Sequence, residues 1–176
     1  MNILLSVLTM SERLWAPWRY DYVSSHNEEG DGCIFCRIAE SESSENRENL
    51  VLYRGTYAYV ILNGFPYING HLMVIPYRHV ADLSSLKKEE IAEMMELLVC
   101  AEKALKEGMN CQGLNGGWNI GTAGGAGIPG HLHMHLLPRW NGDTNFMSTV
   151  GAIRVVSQSL ESSYKILVEY FGGSIG

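Results

Sequence analysis

The chain has 176 residues, 46% of them hydrophobic and 18% charged, enough apolar material for one packed core and too much for a disordered protein. Thirteen Lys and Arg against nineteen Asp and Glu give a formal net charge of −6, which argues against a nucleic-acid partner because phosphate neutralisation needs a basic surface. No run reaches the roughly 20 apolar residues of a membrane span, and the apolar opening Met1–Met10 lacks the basic start and cleavage site of a secretory signal.

In chain order, residues 1–23 read as an extension whose second half carries two Trp and two Tyr, rings expected to pack on the domain or across an interface. Residues 24–32 and 38–48 are polar and read as loops. Strands are expected at Leu50–Arg54, Tyr57–Leu62 and His71–Pro76, with short connections that imply antiparallel pairing. A helix follows, capped by Ser85, with Glu89 and Glu90 in its first turn and a stripe of Ile91, Met94, Met95, Leu98, Leu105 and Met109. Cys100 and Cys111 read as small buried hydrophobes. Trp118–Gly121 is a strand candidate, then come a glycine-rich loop over 121–130 and a histidine strand over 131–137. Residues 152–171 form a second amphipathic helix with Val156, Leu160, Tyr164, Leu167 and Phe171 on one stripe, stopped by Gly172 and Gly173. The expectation is an α+β fold with a largely antiparallel sheet of about five strands and two main helices. Its core domain spans 24–147, and a C-terminal helical segment, 148–176, packs on the same domain.

The chemistry concentrates in His131-Leu-His133-Met-His135. Alternation along a strand puts the three imidazoles on one face and the apolar residues on the other, an arrangement that structure alone does not ask for. Two chemistries use such a row: a catalytic metal held by several His with an open position, or a nucleophilic imidazole that forms a covalent intermediate. Gly121, Gly124, Gly125, Gly127 and Gly130 just upstream let backbone approach a ligand, and their N–H groups can cradle an anion. A phosphate beside a row of His implies phosphoryl or nucleotidyl transfer. Cys33-Ile-Phe-Cys36 suits one corner of a tetrahedral zinc site. A redox pair would be expected to open a helix after a strand, whereas here the pair lies between polar segments. Two close and two dispersed cysteines do not make a secreted disulfide framework, so a cytoplasmic protein is expected.

At the triad the sequence resembles the histidine triad (HIT) family of nucleotide hydrolases and transferases, whose hallmark stands here as His131-Leu-His-Met-His-Leu-Leu137. Gly70-His71-Leu-Met-Val-Ile-Pro76, His79 and Asn63 support it. Leu14-Trp-Ala-Pro-Trp-Arg19, Asn119-Ile-Gly-Thr122 and Pro138-Arg-Trp-Asn-Gly-Asp-Thr-Asn-Phe-Met147 are similar to its diadenosine tetraphosphate phosphorylase-like branch. The resemblance implies a HIT-type fold and cleavage of dinucleoside polyphosphates at the α-phosphorus. His133 would be the attacking nucleophile, with its other nitrogen donating to a carbonyl. His135 would bond the α-phosphate oxygens, and Asn63 would meet the ribose. Asn119 with the Gly124, Gly125 and Gly127 loop would line the phosphate path.

Inorganic phosphate is the acceptor expected for that branch. The alternatives are water as acceptor, a non-catalytic nucleotide-binding zinc module, or a metalloenzyme using all three triad histidines. The resemblance also implies a structural Zn2+ on Cys33, Cys36, His79 and His131, no organic cofactor, and a homodimer. Zinc at His131 would steady the segment carrying His133, about 7 Å along the chain. Two positions depart from the family pattern: Gly127 and Ile128 stand where a Gln or Ser and a Ser or Thr are common, removing side-chain contacts to the phosphate or leaving group.

Overall fold

A computed structural model describes residues 32–143 and 157–172. The aromatic segment 11–23, the 23/24 domain boundary and residues 144–156 lie outside the described residues. The helices are α1 (Ile34–Glu40), α2 (Lys88–Met109) and α3 (Leu160–Phe171), with short 3-10 turns at Ser43–Glu45 and Leu83–Ser85. The strands are β1 (Val51–Arg54), β2 (Ala58–Leu62), β3 (Leu72–Pro76), β4 (Gly113–Trp118) and β5 (Met134–Arg139), in one sheet of order β1-β2-β3-β5-β4. Every neighbouring pair is antiparallel, as the α+β expectation required.

Strands β2 and β3 are buried along their whole length because both sheet faces are covered. On one face Ala58, Val60, Leu62, Leu72, Val74 and Leu136 meet Met94, Leu97, Leu98, Ala101 and Leu105 of α2 and Tyr164, Leu167 and Phe171 of α3. On the other, Val51, Tyr59, Ile61, Met73 and Ile75 meet Phe35 and Ile38 of α1. The period-2 alternation of each strand therefore feeds two cores. The register Met73↔His135 puts His135 on the α1 face. Among the described residues no helix is long and apolar enough to cross a membrane.

Several expectations need correction. First, the Cys pair opens α1, whose N-cap is Cys33 and whose end runs into the segment 38–48 expected to be loop. Only Phe35 and Ile38 of it are buried, so its periodicity is too brief to detect. Second, α2 starts at Lys88 and not after a Ser85 cap. Ser85 lies in a 3-10 turn, its carbonyl is bonded by Arg78 at 2.6 Å, and Glu90 accepts instead from the Lys87 backbone N–H at 2.6 Å. The stripe is also rotated: Leu97, Ala101 and Ala104 face the sheet, while Ile91 and Met95 are 47% and 51% exposed. Two fully buried alanines let the helix approach the sheet closely, and that choice of face outweighs side-chain size. Cys111 is buried as expected, and Cys100 is half-buried against the same core.

Third, the strand expected at Trp118–Gly121 runs earlier, over Gly113–Trp118. Glycine-rich Gly-Leu-Asn-Gly-Gly-Trp has poor strand propensity and is held by pairing with β5. Fourth, β5 begins at Met134, so His131 and His133 precede it. There the chain meets the loop after β3, with the Leu132 N–H donating to the Val80 carbonyl at 2.6 Å. Helix α3 begins at Leu160, where the Ser159 hydroxyl accepts from the Ser162 N–H at 3.1 Å. Val156 and Gly173 lie outside the described residues, and Gly172 ends the helix as expected, at φ −77.

The β1–β2 turn is held from α2. Glu93 accepts from the backbone N–H groups of Thr56, Tyr57 and Ala58, at 2.7 Å for Thr56 and 2.8 Å for Ala58. Glu93→Ala is expected to cost about 1–3 kcal/mol, since three donors lose a charged acceptor, and to lower the denaturation midpoint. An unchanged midpoint in urea unfolding would contradict this.

Candidate active site

Among the described residues the histidines fall into two groups, His79 with His131 and His71 with His133 and His135. His131, His133 and His135 are 0%, 5% and 8% exposed. Each hydrogen-bond partner fixes where the ring protons sit. His133 Nδ1 lies 2.8 Å from the His131 carbonyl, which can only accept, so Nδ1 carries the proton and Nε2 keeps its lone pair. This is the tautomer a nucleophilic His133 requires.

His71, expected to open a core strand, joins this site. Its Nδ1 accepts from the Tyr67 backbone N–H at 3.2 Å and from the Asn63 amide Nδ2 at 3.3 Å. Its Nε2 must then carry a proton, donated to His135 Nδ1 at 2.9 Å. That leaves the neutral His135 with its proton on Nε2, an N–H donor beside a lone-pair nitrogen on His133. The two rings are edge-on, with centroids 4.9 Å apart. A lone His opening an otherwise apolar strand was the available signal, because a fully buried imidazole needs a partner.

Burial sets the charge. The His71 imidazole is pushed down to about 3 by desolvation, with His135 and His133 adding to it. His133 is lowered by the same burial, against the opposing hydrogen bond to the His131 carbonyl. Neutral rings at neutral pH preserve the chain of donors and acceptors. A consequence for stability follows. The unfolded chain takes up the His71 proton near pH 6.5, and the folded protein resists it down to about 3. Folding stability attributable to this group is complete above pH 6.5 and falls as pH drops below it. Between pH 6.5 and pH 5 it should remove about 2 kcal/mol. The drop in unfolding free energy from pH 7 to pH 5 is expected to shrink by that much in His71→Asn, and equal drops would refute it.

The glycine loop contributes space more than donors. Gly117 pairs with His135 across β4 and β5, and a Cβ there would meet nothing within 4 Å, so the strip beside His135 is open. Gly121 and Gly125 have φ +67 and +83, and a Cβ on Gly124 would strike the Ile120 carbonyl. The loop does not offer a row of free amides, however: the N–H groups of Gly124, Gly125 and Ala126 donate to the carbonyls of Gly121 and Thr122 within it. Gly127 is exposed, Asn119 half-buried directly after β4, and Ile128 packs against the α1-side core. The Asn63 side chain is turned to His71 and to the Phe65 N–H, 2.9 Å from its Oδ1. Arg139 is bound by Asp143 and Asn115.

Cys33, Cys36, His79 and His131 come together with their ligand atoms all within 4.8 Å of one another. Cys33 Sγ is 3.3 Å from His131 Nδ1, and Cys36 Sγ is 3.3 Å from His79 Nδ1. His131 Nε2 donates to the Pro76 carbonyl at 2.9 Å, which leaves Nδ1 unprotonated and aimed at the sulfurs, as a metal ligand must be. The donor set and its spacing fit one tetrahedral ion. The Cys pair does open a helix, contrary to expectation, but two histidines complete its surroundings. His133 and His135 do not belong to this cluster, and their Nδ1 atoms are engaged elsewhere, so the geometry does not bring the three triad rings onto one ion. His79 follows Arg78, whose guanidinium grips the buried Glu90 at 2.7 and 2.8 Å. That bond holds the Glu90 carboxyl down at about 2.

The chain matches the HIT domain family over residues 44–142. It is 37% identical to the AP-4-A phosphorylase of Mycobacterium tuberculosis over 160 residues, 89% of this chain and 82% of that protein. Among solved structures, a Zn-bound histidine triad family protein from Mycobacterium smegmatis is similar at 28% identity and TM-score 0.63, covering 80% of this chain and 93% of that one. A hypothetical histidine triad nucleotide-binding protein from Sulfolobus tokodaii is similar at 27% identity and TM-score 0.62, with 80% and 92% covered. Matched over more than half its length by the family and over most of it by these relatives, the chain belongs to the HIT domain family.

Proposed function

We propose that the protein cleaves dinucleoside polyphosphates at the α-phosphorus through a nucleotidyl-His133 intermediate and transfers the nucleotidyl group to inorganic phosphate. The observation that carries the reading is the Nδ1–H bond from His133 to the His131 carbonyl, which presents a lone pair on Nε2. That nitrogen attacks the α-phosphorus, a P–N bond forms, and the bridging P–O bond breaks. The leaving nucleoside polyphosphate takes the electron pair, and the imidazole retains its Nδ1 proton as an imidazolium, stabilised by the same carbonyl. In this reading the His135 Nε2–H donates to the phosphoryl oxygens as negative charge develops on them. Asn63, Asn119 and the Gly124, Gly125 and Gly127 loop line the nucleotide path in this reading. The M. tuberculosis relative's name supports the substrate class. In the second step an inorganic phosphate oxygen attacks the same phosphorus, the P–N bond breaks, and His133 recovers its lone pair.

Diadenosine tetraphosphate incubated with and without inorganic phosphate tests the acceptor. ATP with ADP, appearing only with phosphate, supports phosphorolysis. ATP with AMP means that water is the acceptor, and tight binding with no product overturns catalysis altogether.

The proposal includes a structural zinc on Cys33, Cys36, His79 and His131, for which the Cys2His2 donor set and the Zn-bound relative speak. Such an ion would brace the fold beside the nucleophile and polarise no substrate. Unpaired thiols at all four cysteines accord with a cytoplasmic setting. A homodimer is proposed through α2, where Ile91, Met95 and the 65% exposed Val99 form an unfilled apolar stripe at i, i+4 and i+8. Val99→Lys is expected to give monomers in sedimentation velocity; a dimer that survives it, or a monomeric parent protein, would count against that interface.

A further inference from the structure

Phe35 stands between the two groups of histidines. It lies on α1 between Cys33 and Cys36 and is only 4% exposed. Its ring meets His131 edge-on at 5.5 Å and His133 at 5.0 Å with an interplanar angle of 56°. Its carbonyl accepts the buried Tyr59 hydroxyl at 3.0 Å. One ring therefore touches both a residue of the metal-type corner and the nucleophile.

We propose that Phe35 is a positioning residue for His133, and that through it the Cys33–Cys36 corner sets the nucleophile's orientation. The Nδ1–H bond to the His131 carbonyl fixes one atom of the His133 ring but leaves the ring free to swing about that bond. Swing is limited by what flanks the ring: His135 at 4.9 Å and 82° and Phe35 on α1. Helix α1 has seven residues, too few to stand alone in water, so Phe35 is only as steady as the helix's tethers. At the C-terminal end the Arg54 guanidinium donates to the carbonyls of Ile38 and Ala39 at 3.0 and 3.1 Å, a good partner for the negative end of the helix. At the N-terminal end Cys33 caps the helix without a side-chain hydrogen bond. The tethers there are the Tyr59 hydroxyl on the Phe35 carbonyl and the corner itself, where Cys33 Sγ faces His131 and Cys36 Sγ faces His79. An ion in that corner fastens the end of α1 that carries Phe35; without one, that end is held by the Tyr59 bond and the packing of Phe35 alone. Misplacing a nucleophile by an ångström costs up to about 100-fold in rate.

The inference rests on the proposed role of His133 for its kinetic arm only. The test uses the full chain, stripped of metal and then titrated with Zn2+, with the ring resonances of 15N-labelled histidine followed by NMR. In the parent protein Zn2+ is expected to shift the His133 signals as well as those of His79 and His131. In Phe35→Leu, which keeps an apolar side chain but loses the ring, one ion should still bind while the His133 shift disappears. The Zn-loaded Phe35→Leu protein should lose about 10- to 100-fold in kcat on diadenosine tetraphosphate, with KM within about 3-fold. Ile38→Ala, in the same helix and core but without a ring contact to histidine, should leave kcat near the parent value after its stability loss is allowed for. The proposal is overturned if His133 answers zinc equally in Phe35→Leu, if no zinc binds, or if Ile38→Ala reproduces the kcat loss. A parent protein that cleaves nothing defeats the functional reading and leaves the NMR arm to decide the coupling.

Discussion

His133→Gln is expected to reduce cleavage of diadenosine tetraphosphate by at least about 10⁴-fold, with folding and nucleotide binding kept. Removing a covalent nucleophile costs a factor of this order even where the surrounding binding and charge-stabilising groups remain. The glutamine amide can still donate toward the His131 carbonyl, 2.8 Å from Nδ1 in the parent protein, but it offers no basic nitrogen in the position of Nε2. Quenching the parent enzyme in mid-turnover should trap an acid-labile adenylyl group on His133. His135→Gln should lose less, about 10²- to 10³-fold, as expected for a single donor to developing charge, and should still form the adduct. A His133→Gln protein within tenfold of parental turnover would end the nucleophilic mechanism.

These roles were unevenly visible in the sequence. The triad and the Cys33–Cys36 pair could be named from their spacing, whereas His79 and His131 as the other two metal-type ligands came only from the resemblance. His71 could not: its hydrogen-bond partner, His135, is 64 residues away in sequence, and its local signal is one polar residue in an apolar run. Phe35 was hidden for a related reason. Helix α1 is short, its cap is a cysteine, and only two of its residues are buried, so the local pattern is too weak to separate helix from loop. For α2 the period was readable but the phase was not, because Ile91 and Met95 fit a helical stripe as well as Leu97 and Ala101 do. Which face turns inward depended on how closely alanines let the helix approach the sheet. The glycine loop misled in another way. Its composition correctly signalled an unusual backbone, yet the N–H groups of Gly124, Gly125 and Ala126 are taken up by the loop's own turns, a matter of dihedral angles that composition does not carry.

Removing the ion proposed for Cys33, Cys36, His79 and His131 should have the largest effect on stability. A ligand that binds only the folded chain adds about 4 kcal/mol at a thousand times its dissociation constant, and for a domain of this size each kcal/mol is worth about 2–4 °C in Tm. Chelation is therefore expected to lower Tm by about 8–16 °C, reversed by Zn2+. Cys36→Ser should show the low Tm with or without added Zn2+ and should carry little metal by elemental analysis, against one ion per chain in the parent. The binding must also depend on pH in a particular direction. The Cys36 thiol is pushed up to about 11 by burial, with Cys33 adding to it, so in the metal-free protein it holds its proton at neutral pH and a binding ion has to displace it. Affinity should consequently rise about tenfold per pH unit for each proton released. Below neutrality zinc is lost just where the buried His71 begins to oppose folding, and the two effects reinforce each other on the acid side. A parent protein whose Tm ignores both chelator and Zn2+ would remove the ion from the account, and with it an N-terminal tether of α1 beside His133.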